Sequence, residues 1–279
     1  MAESELLTKA QCREIFERAQ QAARSLGVRD VEVILGASDS ALTRFANNAI
    51  HQNVAERHRS LSVRTALDGR TARASTNRLD EASIRSAVEQ AVAITRAAEP
   101  DPGLLPMASP GELRDVERFC PDTARSGPKD RAGKVAEAIG IVEGASQTAA
   151  GICSACTSAE ATLNSNGVFA YYFDTQAQFS ITAMAGDSSG WAKASAPGNG
   201  DVDPLALART ASSKAALSQN PRELPPGAYT VILEPSAVQD LLGQIFFDFS
   251  ATTIRDQRSF LTGRLGQQLF GKEIGRAHV

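Results

Sequence analysis

Histidine, the commonest catalytic acid or base, is scarce in this sequence, with three among 279 residues: His51, His58 and His278. Four cysteines are too few for a disulfide-dense scaffold. No apolar run approaches the about 20 residues that a membrane-spanning helix needs. The N-terminal residues are charged and lack an apolar signal core, which argues against secretion. We therefore expect a cytoplasmic protein with no membrane partner.

The chain also lacks an excess of positive charge. Its 29 Lys and Arg residues are outnumbered by 32 Asp and Glu residues, for a formal net charge of -3. Proteins that bind nucleic acid by neutralising phosphates need clustered positive charge, so this balance argues against a nucleic-acid partner. Hydrophobic residues make up 42% and charged residues 22% of the chain, which is typical of globular proteins.

Apolar periodicity predicts an α+β fold. Short strands are expected over 31–35, over 41–46 and 49–54 on the two sides of the Asn47-Asn48 turn, and over 59–66 before a hairpin at Asp68-Gly69. An antiparallel meander is expected over 150–195, with separate strands that include 168–173 and 176–184. Helical spacing of apolar residues predicts helices over 9–26, 80–98, 129–147 and 204–218. The N-terminal part should thus hold a mixed or antiparallel sheet with several helices.

Prolines at 221, 225 and 226 interrupt both helical and strand periods and predict a domain boundary after residue 220. Residues 1–220 would form an N-terminal α+β domain, and 221–272 would begin a β-rich C-terminal domain that is truncated. In that second domain we expect a buried strand over 229–233. A helix over 237–249 should follow, with the apolar side chains of its periodic face turned inward.

The segment 43–53, TRFANNAIHQN, resembles a signature near the start of the TldD/PmbA family, whose members are named as modulators of DNA gyrase and as metalloproteases. Asn164-Ser165-Asn166-Gly167 resembles a turn of that family, and the segment from Tyr229 to residue 270 resembles the opening of its C-terminal domain. The resemblance covers about residues 10–272, with the motifs in the family's order.

The family contains two kinds of subunit, of which one carries HExxxH on a helix and binds zinc. The TldE/PmbA-type subunit lacks this motif, and the resemblance implies that the two form a heterodimer that degrades or trims unstructured peptides. Matched to this chain, the motif falls on Gly243, Gln244 and Asp248. Zinc hydrolysis needs imidazole ligands and a carboxylate base, so we expect no catalytic residue and no metal here, and zinc in a partner subunit.

Two alternatives stay open at this point. One is a self-sufficient metallopeptidase with displaced ligands. The other is a regulatory protein without proteolysis that binds DNA gyrase or a toxin–antitoxin pair, which the family's older name implies. The resemblance implies a metallopeptidase family, whereas the missing HExxxH motif leads us to expect no activity from this chain alone.

Several residues are candidates for contact with a peptide or a partner. They are His51 in the family-like stretch, Tyr171 and Tyr172 in an aromatic-rich strand, and Arg255 and Arg258 after the motif helix. A metal site at His51 and His58 would need a carboxylate such as Glu56, and its spacing matches no known ligand set. Cys153 and Cys156 form C-x-x-C on a predicted strand, where an offset of three points the thiols to opposite faces.

The last seven residues, 273–279, do not continue the family pattern and back-translate to a common sequencing-adapter sequence. We therefore predict a non-native tail that includes His278, with the structured part ending near Lys272. The nucleotide sequence of the gene would test this prediction.

Overall fold

The computed structural model describes residues 6–114, 116–269 and 271. Contacts divide the chain into two units, 1–222 and 223–279. The predicted boundary after residue 220 lies two residues before this division. The predicted tail at 273–279, with His278, lies outside the described residues.

The first unit is built on one six-stranded sheet in which every neighbouring pair of strands is antiparallel. The strand order is β3-β2-β1-β4-β5-β6, so the first strand lies in the middle. The strands are β1 (Asp30–Ala46), β2 (Ala49–Leu67), β3 (Arg70–Thr76), β4 (Thr148–Asn164), β5 (Phe169–Ala185) and β6 (Ser188–Ala196).

Helices cover one face of this sheet. They are α1 (Lys9–Ser25), α2 (Glu81–Ala97), the short α3 (Pro121–Ala124), α4 (Pro128–Gly144) and α5 (Pro204–Leu217). The buried side chains form two clusters, one beneath α1 and α2 and one beneath α4 and α5. Strand residues of both clusters alternate along the strands, as a half-buried sheet requires. The expected α+β architecture is confirmed.

The helix ends follow local chemistry, and the predicted helices are found within a few residues of their expected bounds. Thr8 and Gln11 form a capping box at the start of α1, and Gly27 follows its end with a φ of +79°. The side chains of Asp80 and Asp203 accept hydrogen bonds from backbone N–H groups at the starts of α2 and α5.

The strands are longer than expected. The short strands predicted at 31–35 and 41–46 are one strand, β1, and those predicted at 49–54 and 59–66 are one strand, β2. The separate strands predicted at 168–173 and 176–184 likewise merge into β5. Polar residues such as Asp39 and Thr175 interrupt the apolar alternation, but the backbone ladder continues through them because pairing does not depend on side-chain polarity.

One carboxylate ties together three strands on the face without helices. Glu32 of β1 accepts two hydrogen bonds of 3.1 Å from Arg64 of β2 and one of 2.7 Å from Arg73 of β3. Its partial burial acts to raise the pKa of this carboxyl group. The hydrogen bonds and positive charges of the two arginines outweigh that effect, so the pKa lies below its ordinary value.

Replacing Glu32 with Gln should lower the free energy of unfolding at pH 7 by about 2 kcal/mol, since charge-assisted hydrogen bonds are lost and two arginines lose their carboxylate. A lowered folded-state pKa stabilises the fold above the unfolded-state pKa and loses this effect as pH falls through the folded value. The difference between the variant and the original protein should therefore shrink between pH 5 and pH 3 in urea titrations. Glu160→Gln on β4, where the described residues show no ion pair, serves as the matched control.

The second unit contains helices. They are α6 (Pro235–Phe246), a 3-10 turn (Phe247–Phe249) and α7 (Ala251–Arg255). The strand predicted over 229–233 is absent, because no strand among the described residues of this unit pairs with the segment, and Ile232 is 96% exposed. The helix predicted over 237–249 exists, but its periodic apolar residues are exposed or half-buried rather than inward: Val238, Leu241, Leu242, Ile245 and Phe246.

Within the described residues, no helix combines the length and the apolar character needed to cross a membrane.

Candidate functional site

The family-like segment 43–53 forms the hairpin between β1 and β2. Asn47 and Asn48 occupy its two-residue turn with φ values of 51° and 59°, a left-handed conformation that asparagine tolerates. The side-chain amide of Asn48 donates to the carbonyl of Gln147 at 3.1 Å, and its Oδ1 accepts from the backbone N–H of Ala149. Asn48 thereby fastens the hairpin tip to the beginning of β4.

A buried arginine fastens the same hairpin to a helix. Arg131 of α4 is 3% exposed, and its Nε donates to Thr43 Oγ1 at 3.3 Å. Its Nη2 donates to Asn53 Oδ1 at 3.2 Å and its Nη1 to the carbonyl of Ser126 at 2.7 Å. Thr43 and Asn53 face each other across β1 and β2, so a single guanidinium joins two strands and a helix.

Sequence reasoning missed Arg131, although a signal was present. With Val135, Ala138 and Val142 it follows helical spacing, and all four are buried in α4. A charged residue on the apolar stripe of a helix needs polar partners when it is buried, which marks it as a residue with a specific role.

Asn48→Ala should lower the free energy of unfolding by about 3 kcal/mol, through two lost hydrogen bonds and the strain of alanine in a left-handed conformation. Asn48→Gly keeps the backbone freedom and should cost about 2 kcal/mol. Asn47→Gly, at a residue for which the described residues show no side-chain hydrogen bond, should change stability little. Urea denaturation of the three variants measures these differences, and equal losses at positions 47 and 48 would contradict the assigned role of the Asn48 side chain.

His51 and His58 lie on β2, and both side chains are exposed. His51 is the extra residue of β2 at the point where the register with β1 shifts, opposite Arg44 and Phe45. In the part of the chain that the structure describes, no group of three His, Cys, Asp or Glu side chains could hold a metal ion. His51 is thus placed for contact on a surface, without the neighbours that a metal site needs.

The two cysteines of C-x-x-C lie on β4, with Cys153 buried and Cys156 partly buried. Burial raises the pKa of both thiols; Lys134 and Arg131 partly offset this at Cys153, whereas Asp174 and Asp39 add to it at Cys156. Redox and metal-binding cysteines need the opposite shift, because the thiolate is the reactive form. Free thiols in a strand are therefore the better description of this pair.

Tyr171 and Tyr172 lie on opposite faces of β5. The hydroxyl of Tyr171 donates to the carbonyl of Leu7 at 3.0 Å, and burial raises the pKa of this phenol. Tyr172 is 37% exposed. It lies in one row with Glu160 of β4, Gly36 of β1 and Ser60 of β2.

These tyrosines and His51 do not share one site. His51 lies nine residues along β2 from Ser60, which corresponds to about 30 Å at the rise of a strand. The candidate peptide contacts of the first unit therefore mark separate places on the sheet.

The motif positions lie on one stretch of the second unit. Gly243 and Gln244 are exposed residues of α6, and Asp248 is a partly buried residue of the 3-10 turn that follows. Gly243 lines an apolar cavity of about 480 Å³ together with Leu233, Pro235, Val238, Gln239, Leu242 and Phe246. Glycine has no ligand atom, glutamine cannot act as a base at neutral pH, and one carboxylate is not a zinc site. The residues present do not fit a catalytic zinc ion.

Arg255 and Arg258 share one carboxylate. Arg255 Nε lies 3.4 Å and Arg258 Nη2 lies 3.5 Å from oxygens of Asp256. Their side chains are 78% and 72% exposed, so these ion pairs contribute little to stability. Both guanidinium groups remain accessible for contact with an anionic group.

Three sequence profiles match the chain and together cover most of its length. PmbA/TldA metallopeptidase domain 1 matches residues 31–95, the central domain matches 77–219, and the C-terminal domain matches 226–275. Among curated proteins, none matches this sequence.

Solved structures with a similar fold include a proposed modulator of DNA gyrase from Thermotoga maritima MSB8, with a TM-score of 0.79, 19% identity, and coverage of 92% of this chain and 60% of the other. A proposed modulator of DNA gyrase from Bacteroides thetaiotaomicron VPI-5482 has a TM-score of 0.80 and 18% identity, with coverage of 94% of this chain and 62% of the other. TldE from Thermococcus kodakarensis has a TM-score of 0.72 and 15% identity, with coverage of 90% of this chain and 59% of the other. The chain thus spans about three fifths of the length of these proteins.

Proposed function

The chain belongs to the PmbA/TldD metallopeptidase family, and from that premise we propose that it is the non-zinc subunit of a two-subunit protease. Its partner would be a TldD-like subunit that carries the zinc ion and the catalytic glutamate. The substrate would be an unstructured peptide, which the partner cleaves and which this chain helps to hold.

The observation that carries this proposal is the chemistry of the motif positions. Where the zinc-bearing subunit of the family has His, Glu and His, this chain has Gly243, Gln244 and Asp248. A structural relative named TldE gives further support, although its 15% identity concerns the fold alone. Hydrolysis through zinc must then come from another polypeptide, because two of the three positions here lack the required ligand or base.

The family's metal would supply polarisation of a peptide carbonyl and an activated water in the partner. This chain's own residues would act by binding. Extended peptides offer backbone donors and acceptors to sheet edges, and the first unit is built on a sheet with long strands. Exposed arginines such as Arg255 and Arg258 provide cations for substrate or partner carboxylates.

Co-expression of this chain with the zinc-bearing homologue of the same organism tests the assignment. We expect cleavage of an unstructured peptide by the pair, and none by this chain alone. Gln244→Ala in this chain should leave the rate within about twofold, because a residue outside the chemistry does not stabilise the transition state. Glutamine in place of the motif glutamate of the partner should abolish cleavage, since it removes the general base.

Two measurements would contradict the assignment. Zinc bound stoichiometrically by this chain alone, together with peptide cleavage, would favour the self-sufficient metallopeptidase. A loss of cleavage by the pair on Gln244→Ala equal to the loss caused by the partner's glutamine variant would place the chemistry in this chain.

A second candidate function is regulation of DNA gyrase without proteolysis. It is favoured by the description of two structural neighbours as proposed modulators of DNA gyrase. Direct binding of purified gyrase by this chain, unchanged when the zinc-bearing partner is absent, would support this function over proteolysis.

A further inference from the structure

The second strand of the sheet extends far beyond its outer neighbour. β2 has 19 residues and β3 has seven, and β3 pairs only with residues 61–67 of β2. Over residues 49–60, β2 pairs with β1 on one side, and no strand among the described residues pairs with it on the other. This segment is therefore an open sheet edge.

The geometry of the turns identifies which backbone groups point to that open edge. Leu67 and Arg70 close the two-residue turn at Asp68-Gly69, so they form a hydrogen-bonded pair. Backbone groups alternate in direction along a strand, and odd-numbered residues of β2 between the bulge at His51 and Leu67 therefore point toward the side of β3. Asn53, Ala55, Arg57 and Arg59 accordingly direct their N–H and C=O groups to the open edge.

The open edge has two halves of different character. Glu56, Arg57, His58 and Arg59 follow one another, and charged side chains of this kind guard sheet edges against unwanted pairing. Residues 49–55, AIHQNVA, contain no Asp, Glu, Lys or Arg. This half combines β-prone Ile50 and Val54 with exposed backbone and lacks the usual protection.

A buried cation lies beside the unguarded half. The guanidinium of Arg131 bonds to Asn53, whose side chain lies on the helix-covered face. In the described parts of the chain its three hydrogen-bond acceptors are all uncharged, although a guanidinium has five N–H donors. A buried charge is stabilised most by an opposite charge, so a carboxylate added next to Asn53 would be favoured here.

We propose that residues 49–55 bind an extended peptide as an added antiparallel or parallel strand, and that Arg131 selects a peptide with an acidic side chain next to Asn53. The inference rests on the proposed function, because the occupant is taken to be the unstructured peptide that the protease handles. The charges along the β1–β2 hairpin favour the same occupant, since Arg44, Arg57 and Arg59 outnumber Asp39 and Glu56 there.

The decisive variant is Ala55→Pro in the full chain. It removes an N–H group that points away from β1, so the β1–β2 ladder keeps its hydrogen bonds while the edge loses a donor. Ala55→Val retains the N–H group and is the matched control. The probe is a fluorescent decapeptide of alternating threonine and glutamate, and its binding is measured by fluorescence anisotropy, with circular dichroism as the check of folding.

We expect Ala55→Pro to weaken binding at least about tenfold and Ala55→Val to change it less than about twofold. A peptide with glutamine in place of glutamate should bind about tenfold more weakly to the original protein. Arg131→Lys should reduce the preference for the glutamate peptide over the glutamine peptide to about threefold. Lysine keeps the positive charge but lacks the planar guanidinium with its paired N–H donors. The comparison of the glutamate and glutamine peptides on the original protein tests the charge preference even if the Arg131 variant is destabilised.

Equal binding by the Ala55→Pro and Ala55→Val variants would overturn the edge site. So would self-association of the chain that Ala55→Pro abolishes without any peptide binding, because the edge would then pair with a second copy. Cleavage by the two-subunit pair is measured separately. Cleavage without edge binding would leave the proposed function standing, and edge binding without cleavage would defeat the proposed function while retaining this site.

Discussion

The pairing of β1 with β2 on one side and with β4 on the other is the constraint on which the first unit depends. Side chains alternate between the faces of a sheet, so a slip of one residue would turn Val33 and Leu35 from the core to the open face. The turn at Asn47-Asn48 sets this register at the tip of the hairpin. The shift at Arg44/Phe45 adds its extra residue, His51, to β2, so the alternation of β1 is unbroken and Phe45 stays in the core. Asn48 and Arg131 then hold the hairpin against β4 and α4, and these bonds account for the polar residues Thr43, Asn48 and Asn53 of the family-like segment.

Local chemistry made the helices and turns of the first unit predictable. Thr8, Asp80 and Asp203 cap helices through bonds within a few residues, and Asn48 and Gly69 adopt the left-handed conformations expected of their turns. Strand lengths were not predictable in the same way, because ladders continue through polar positions such as Asp39. Arg131 joins residues 78 and 88 positions away along the chain, and such long-range partners cannot be read from spacing.

In the second unit, the sequence predicted a helix correctly but did not predict which of its residues are buried. The apolar period of α6 correctly predicted a helix, since amphipathic spacing is a property of the segment itself. Its exposed Leu241 and Phe246 and the unpaired segment around Ile232 show that burial depends on what covers a face, which the segment alone does not specify. The candidate site residues divide in the same way, because some can be interpreted from residue type alone and others only from their contacts. Residue types at Gly243 and Gln244 argue directly against zinc chemistry, whereas the contacts of Tyr171 and Arg255 required coordinates.

Among the described residues, no strand pairs with the outer side of β2 over residues 49–60, so this part of the sheet is an open edge. Unpaired backbone groups on a long strand invite pairing with any extended chain, and proteins usually suppress this by charges, by bulges or by a covering element. In β2 the short β3 covers one end, charged residues guard the middle, and a bulge at His51 lies near the tip. Between the guard residues and the tip, the chain keeps an uncharged segment held rigid by Arg131 through Asn53. Rigidity lowers the entropy lost when a strand is added, so the same bonds that stabilise the hairpin also prepare its edge for a partner.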